Sequence, residues 1–245
     1  MSTLQLTVVG SGDAFGSGGL LNTCFYVAAP SVRFLIDCGA TTLPGLKQRG
    51  LKSEDVDVII LSHFHGDHFG GVPFLLLDAA VTKRARPLTI ISPPGARPRI
   101  IRLLEVLYPG TEVLEKIQVN FLEYQPYETL TTKYLSVQAY PVVHTEAALP
   151  HGLRISVAGK VISYSGDTEW TDTLLDLARD ADLFICECNF YDTQVKGHLN
   201  YLTLRQRLPE LGHKKILLTH LDQEMLDQLD QLELAYAVDG QVVTV

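Results

Sequence analysis

The stretch Ser62-His63-Phe64-His65-Gly66-Asp67-His68-Phe69-Gly70-Gly71 packs three imidazoles and a carboxylate into six residues, His63 to His68. Such a group is costly to bury unless a cation satisfies it, so a metal centre is the chemistry it implies. Histidines that merely cap a buried strand are the alternative. In an extended backbone His63 and His65 project to the same side and can grip one ion. Gly66 lets the chain turn, after which Asp67 and His68 are free to face a second ion beside the first.

These residues must be positioned by the elements before them. Residues 56–61 form an apolar, β-branched run that reads as a buried strand, so the cluster sits where a strand enters a loop, a common place to mount a site. The placement recurs three times. His144 ends the strand-like run 135–143, Asp167 stands in Ser165-Gly166-Asp167-Thr168 just past a strand, and His220 follows Ile216-Leu217-Leu218-Thr219. Strand ends on one edge of a sheet form a rim, so groups far apart in sequence can converge there. Taken singly, each histidine could be a surface or core residue and Asp167 a turn residue.

The rest of the chain supplies strands and helices in alternation. Strands are expected at 4–9, 23–28, 32–37, 56–61, 88–92, 119–123, 135–141, 153–157, 161–164, 183–188 and 216–219. Helices are expected at 42–49, 71–80, 97–107, 171–178 and 202–208. Near the end, 235–238 and 241–245 flank an Asp239-Gly240 turn and read as a hairpin. An α/β (α+β) fold of two mixed sheets face to face, with helices outside, would bury all of these strands.

With 245 residues, 46% of them hydrophobic, the chain can bury a full core, and one domain spanning 1–245 is expected. No run of about 18 apolar residues could span a bilayer and no signal peptide is evident, which points to the cytoplasm. Cys24, Cys38, Cys186 and Cys188 lie in or beside apolar segments and read as buried, reduced thiols. A net charge of −8 argues against a broad nucleic-acid surface and favours a small substrate over a folded RNA.

The order of these motifs resembles the metallo-β-lactamase-fold hydrolase superfamily, in the branch of ribonuclease Z, related phosphodiesterases and some arylsulfatases. The resemblance runs over nearly the whole length: Gly10-Ser11-Gly12, Asp37-Cys38-Gly39, the His63 to His68 cluster, His144, Ser165-Gly166-Asp167-Thr168, Glu187, His198 and Thr219-His220. It implies a four-layer αββα sandwich. It also implies a ligand set in which His63, His65 and His144 hold one ion, Asp67, His68 and His220 hold a second, and Asp167 bridges. Nitrogen and oxygen donors suit Zn²⁺ or Mn²⁺ and leave Fe open.

The same resemblance implies a metal-dependent hydrolase, most simply a phosphodiesterase acting on a small, cyclic-nucleotide-like phosphodiester. Hydroxide shared between the ions would attack phosphorus, with Asp67 orienting it. His198, in Lys196-Gly197-His198-Leu199, would protonate the leaving oxygen, held by Glu187. Asp37 is expected to fix the tautomer of a ligand imidazole, or else to be a turn residue. Gly10-Ser11-Gly12 lacks the third glycine of a dinucleotide fingerprint and reads as a rim loop. His151 and His213 carry no motif, and Tyr164, Trp170 and Tyr191 read as packing.

Ribonuclease Z carries a long tRNA-gripping arm between the segments matching His144 and Asp167. Here only 22 residues, 145–166, separate them, which disfavours tRNA 3′ processing. Arylsulfatase or lactonase activity on the same metals, and a non-catalytic metal-binding module, are the alternatives. The apolar stretch 74–77 suits a homodimer interface.

Overall fold

The computed structural model describes residues 4–245. The first half runs β1 (Gln5–Gly10), β2 (Cys24–Ala28), β3 (Arg33–Ile36), α1 (Thr42–Gln48), β4 (Val58–Ile60), α2 (Gly66–Phe69), α3 (Val72–Val81), β5 (Leu88–Ser92), α4 (Ala96–Leu107), α5 (Val113–Lys116) and β6 (Val119–Glu123). The second runs β7 (Thr129–Thr131), β8 (Leu135–Pro141), β9 (His151–Val157), β10 (Lys160–Tyr164), α6 (Thr173–Ala178), β11 (Leu183–Glu187), α7 (Tyr201–Arg207), β12 (Ile216–Thr219), α8 (Gln223–Leu226) and β13 (Val242–Thr244).

Two mixed sheets result, ordered β13-β1-β2-β3-β4-β5-β6 and β12-β11-β10-β9-β8-β7. In the first, β3 to β6 are parallel and the strands from β13 to β3 antiparallel; in the second, β10 to β12 are parallel and β7 to β10 antiparallel. The inner parallel strands are buried on both faces, which is why their central residues are apolar, whereas the edge strand β6 is largely exposed and carries Asn120 and Glu123. In β3, Phe34 and Ile36 enter the core between the sheets while Leu35 packs outward under α1 and α3. In β11, Leu183 and Ile185 point inward while Phe184 and Cys186 meet the layer of α6 and α7. The layers are therefore helix, sheet, sheet, helix, as the resemblance implies. All four cysteines are buried free thiols, and burial pushes Cys24 up to about 12.

The expected strands and helices are present with ends displaced by a few residues, and three local readings are corrected. Residues 66–69, expected to turn away as a loop, form the single helical turn α2. Residues 129–131 form an edge strand that the sequence pattern does not announce, because it is polar and held by pairing with β8. The C-terminal hairpin does not form. Tyr236 bridges to Leu218 beside β12 in the second sheet, whereas β13 pairs with β1 in the first. The Asp239-Gly240 turn thus crosses between sheets, and its two flanks satisfy two sheet edges that would otherwise be left open.

Candidate active site

Strands β3, β4, β8, β10, β11 and β12 all deliver their carboxyl ends to one rim of the sandwich. There Asp37, the His63 to His68 segment, His144, Asp167, Glu187 and His220 emerge within a few residues of their strands. Donor atoms of His63, His65, His144 and Asp167 lie within 4.8 Å of one another, as do those of Asp67, His68, Asp167 and His220. Asp167 belongs to both groups. Its Oδ2 stands 3.2 Å from His68 Nε2, 3.3 Å from His220 Nε2, 3.8 Å from His63 Nε2 and 3.9 Å from His144 Nε2. Asp67 Oδ2 approaches His68 Nε2 at 3.1 Å and His220 Nε2 at 3.2 Å, and His144 Nε2 is 3.0 Å from His65 Nδ1.

This donor set fits divalent cations. His63 Nε2, His68 Nε2 and Asp167 Oδ1 are buried without a hydrogen-bond partner among the described residues, although buried polar atoms are almost always paired. All three belong to the facing groups, and nitrogen and oxygen donors suit a hard or borderline ion.

Outer contacts hold the imidazoles from behind. His68 Nδ1 meets Asp37 Oδ2 at 2.7 Å, so Asp37 does face a ring of the cluster. His63 Nδ1 meets Ser62 Oγ at 2.9 Å, and Ser62 Oγ donates to Asp37 Oδ2 at 2.8 Å. His144 Nδ1 donates to the Gly197 carbonyl at 2.8 Å. Each contact leaves the opposite nitrogen aimed at the centre, the arrangement that metal-binding histidines need. The left-handed backbone of His220, at φ 62°, is pinned by its N–H to the Ser11 carbonyl and by Asn189 Nδ2 on its own carbonyl. The Gly10-Ser11-Gly12 loop is thus a support of the rim, itself held by Asp239, which accepts from Ser11 N and Oγ. Helix α2 docks against the chain at Gly39, where a Cβ would stand 1.8 Å from the Asp67 carbonyl oxygen; only glycine fits.

Electrostatically the two groups differ. Burial holds His63, His65 and His144 below the usual histidine range, so they are neutral donors. For His68 and His220 burial acts the same way but is outweighed by Asp167 and Asp67, which raise both, His220 to about 9. The carboxyls of Asp67 and Asp167 are held low against their burial by His68 and His220. The two carboxylates thus favour positive charge at His68 and His220, the same demand that a bound cation would meet.

His198 lies beside these groups, its ring 4.8 Å from that of His144 and stacked 5.7 Å from that of His220. Its Nδ1 bonds to Oε1 of the fully buried Glu187, whose Oε2 accepts from Thr168 N and Leu199 N at 3.0 Å. Burial works to lower His198 but the Glu187 contact raises it. A cavity of about 430 Å³ opens against His198, lined by Trp170, Lys196 and Asn200 among others. A larger cavity, about 950 Å³, opens at the other ends of β4 to β6, beside Val58, Thr89 and Val119, away from the imidazoles.

Every residue singled out in the sequence for ligation or acid–base work is therefore brought to one place. His151 packs on Tyr124 and His213 near Phe184, outside the cluster; Tyr164 is core and Tyr191 stacks on Tyr201. Asn189, Ser62 and Asp239 support the site without any role assigned to them from the sequence. Asn189 had a usable signal, the same strand-end placement as the ligands; Asp239 looked like a plain turn.

Comparison with known proteins agrees with this architecture. A Bacillus subtilis protein named probable metallo-hydrolase YhfI is 27% identical over 225 residues, covering 89% of this chain and 87% of its own. Its crystal structure superposes with a TM-score of 0.81 over 100% of both chains at 23% identity. The anti-Pycsar protein Apyc1 of Bacillus phage 010DV004 is 25% identical over 237 residues, covering 92% of this chain and 91% of that one. The short form of human tRNase Z shares the fold, with a TM-score of 0.79 at 24% identity over 98% of each chain. Among the described residues no helix is long and apolar enough to cross a membrane. With residues 4–242 matching the family described as anti-Pycsar protein Apyc1, on a rim built to gather histidines and aspartates, the chain belongs to that family of metallo-β-lactamase-fold hydrolases.

Proposed function

We propose that the protein is a phosphodiesterase of small phosphodiesters, cyclic nucleotides foremost. One cation would be held by His63, His65, His144 and Asp167 and another by Asp67, His68, Asp167 and His220, with Zn²⁺ or Mn²⁺ the natural choices and Fe compatible. Bound there, such ions supply positive charge that polarises a phosphoryl oxygen and acidifies water. Asp67, which faces His68 and His220, would also accept a hydrogen bond from the attacking water and orient it. His198 donates its Nε2 proton to the departing oxygen, and Glu187, bonded to Nδ1, keeps the ring turned for that transfer.

The observation that carries this reading is the pairing of the buried Glu187 with the part-buried His198 beside both groups. An alkoxide leaving group, such as a ribose oxygen, needs a proton as it departs, whereas an aryl sulfate does not. The segment between His144 and Asp167 supports a small substrate: it is spent on a helical turn at Glu146–Ala148 and the β9–β10 hairpin, with no arm. The same reading takes residues 1–245 as one catalytic domain in the cytoplasm, with half-buried Phe74 and Leu77 of α3 offered to a second copy.

The test is a panel of cyclic and linear nucleotide diesters, bis-nitrophenyl phosphate, nitrophenyl sulfate, a lactone and precursor tRNA, with protein stripped and reloaded with Zn²⁺ or Mn²⁺. Cyclic diesters should be the best substrates. Faster turnover of sulfate, lactone or tRNA, or the absence of metal-dependent turnover, would overturn the proposal.

A further inference from the structure

The segment leading to His198 is held in an unusual way. Asp192 to Lys196 are exposed, and the chain then dives to the buried Gly197. Both polar backbone groups of Gly197 are taken. Its N–H donates to Glu169 Oε2 at 2.9 Å, and its carbonyl accepts from His144 Nδ1 at 2.8 Å. Glu169 in turn donates its backbone N–H to the Val143 carbonyl at 3.0 Å, and Thr168 Oγ1 accepts from Val143 N at 3.1 Å. The links close a ring: His144 ring, Gly197, Glu169 side chain, Glu169 backbone, Val143, His144 backbone. No room is left for a side chain at 197, where φ is +82° and a Cβ would stand 2.8 Å from His144 Nδ1.

We propose that Glu169 is a positioning residue that sets two functional groups at once, the His144 ring through the Gly197 carbonyl and His198 through the residue that precedes it. Donation from His144 Nδ1 to Gly197 fixes the tautomer whose Nε2 lone pair faces His63, His65 and Asp167. The Glu169 carboxylate holds Gly197 where that carbonyl can accept. It also anchors the end of an otherwise exposed loop one residue before the acid. Placement of the acid and readiness of one ion group, the one that includes His144, are thereby mechanically joined. The imidazoles of the second group, His68 and His220, are held by Asp37 and Asn189 and lie outside the ring, although Asp167 is common to both groups.

This inference rests on the proposed function, and the experiment separates the two. Zn²⁺ binding by chelator competition, resolved into its two equivalents, is measured for wild type, Glu169→Leu, Glu169→Gln and Gly197→Ala, together with turnover of diesters bearing poor and activated leaving groups. Glu169→Leu should weaken one equivalent about 10–100-fold, leave the other unchanged, and slow poor leaving groups more than activated ones. Glu169→Gln retains an acceptor oxygen and should restore binding to within about threefold of wild type. Should Glu169→Leu fail to fold, Gly197→Ala carries the same expectation of selective loss. Wild-type affinities and an unchanged leaving-group ratio in Glu169→Leu, or in Gly197→Ala where that stands in, would overturn the inference while leaving the phosphodiesterase reading intact. Wild-type protein that binds no ion would sink that reading instead.

Discussion

Replacing Asp37 by Asn should disable both ion groups through a change of one atom. Asp37 is fully buried, with Oδ1 accepting from Ser62 N at 2.7 Å and Oδ2 facing both Ser62 Oγ and His68 Nδ1. In Asp37→Asn the amide oxygen keeps the Ser62 N–H, and an NH₂ replaces Oδ2. Its two protons point at Ser62 Oγ and His68 Nδ1, so both must become acceptors. Ser62 Oγ then donates to His63 Nδ1, and the protons of His63 and His68 move to Nε2, which faces the centre. One ligand in each group is thus turned to the wrong tautomer. The backbone does not object, since Asn tolerates the left-handed φ of 60° as readily as Asp. Exchange of charge-assisted bonds for neutral ones costs about 2–4 kcal/mol of stability, and Zn²⁺ affinity should fall about 10–100-fold in each equivalent. Chelator competition reads the affinities and urea unfolding the stability. Asp37→Ala, which leaves three donors unpaired and adds about 1–2 kcal/mol of left-handed strain, should be less stable still. Wild-type affinity for both equivalents in Asp37→Asn would refute the reasoning.

Three further outcomes are expected. In metal-stripped protein, His68 and His220 are raised in the fold, so their contribution to stability is complete below about pH 6.5 and lost as pH climbs, for His220 through about 9. The unfolding midpoint of stripped protein should therefore fall between pH 6.5 and 9, and Zn²⁺, which displaces those protons, should flatten the decline; a flat profile without metal would contradict this. His198→Ala should slow diesters with alkoxide leaving groups about 10²–10⁴-fold while sparing activated aryl esters, and equal losses would remove His198 as the acid. Arg84→Met should destabilise by about 3 kcal/mol in urea titration, because the buried guanidinium satisfies the carbonyls of Ser53, Glu54, Val56, Arg86 and Pro87; a loss below about 1 kcal/mol would show that water replaces it freely.

Much of the scaffold was legible because burial on both faces leaves a plain mark. Residues 34–36 of β3, 58–60 of β4, 90–91 of β5 and 183–186 of β11 are unbroken apolar runs, since each faces the inter-sheet core on one side and helices on the other. What escaped notice depends on partners distant in sequence. Strand β7 is polar and exists only as the edge of β8. Helix α2 forms where its His68 carbonyl accepts from Cys38 N and Gly39 packs beneath Asp67. The Asp239-Gly240 signal is a correct turn but not a hairpin, because the Asp239 carboxylate is claimed by Ser11 and Leu21, more than 200 residues earlier.

By itself the sequence determined the donor types, the tight spacing from His63 to His68, and the placement of His144, Asp167 and His220 at strand ends, since these depend on local periodicity and residue chemistry alone. Tertiary structure decided that Asp167 stands between both groups, that burial lowers His63, His65 and His144 while Asp167 and Asp67 raise His68 and His220, and that Glu169 reaches Gly197. Burial and charge–charge energies depend on distances of a few ångströms between residues as far as 153 positions apart, and only the closed sandwich sets those distances.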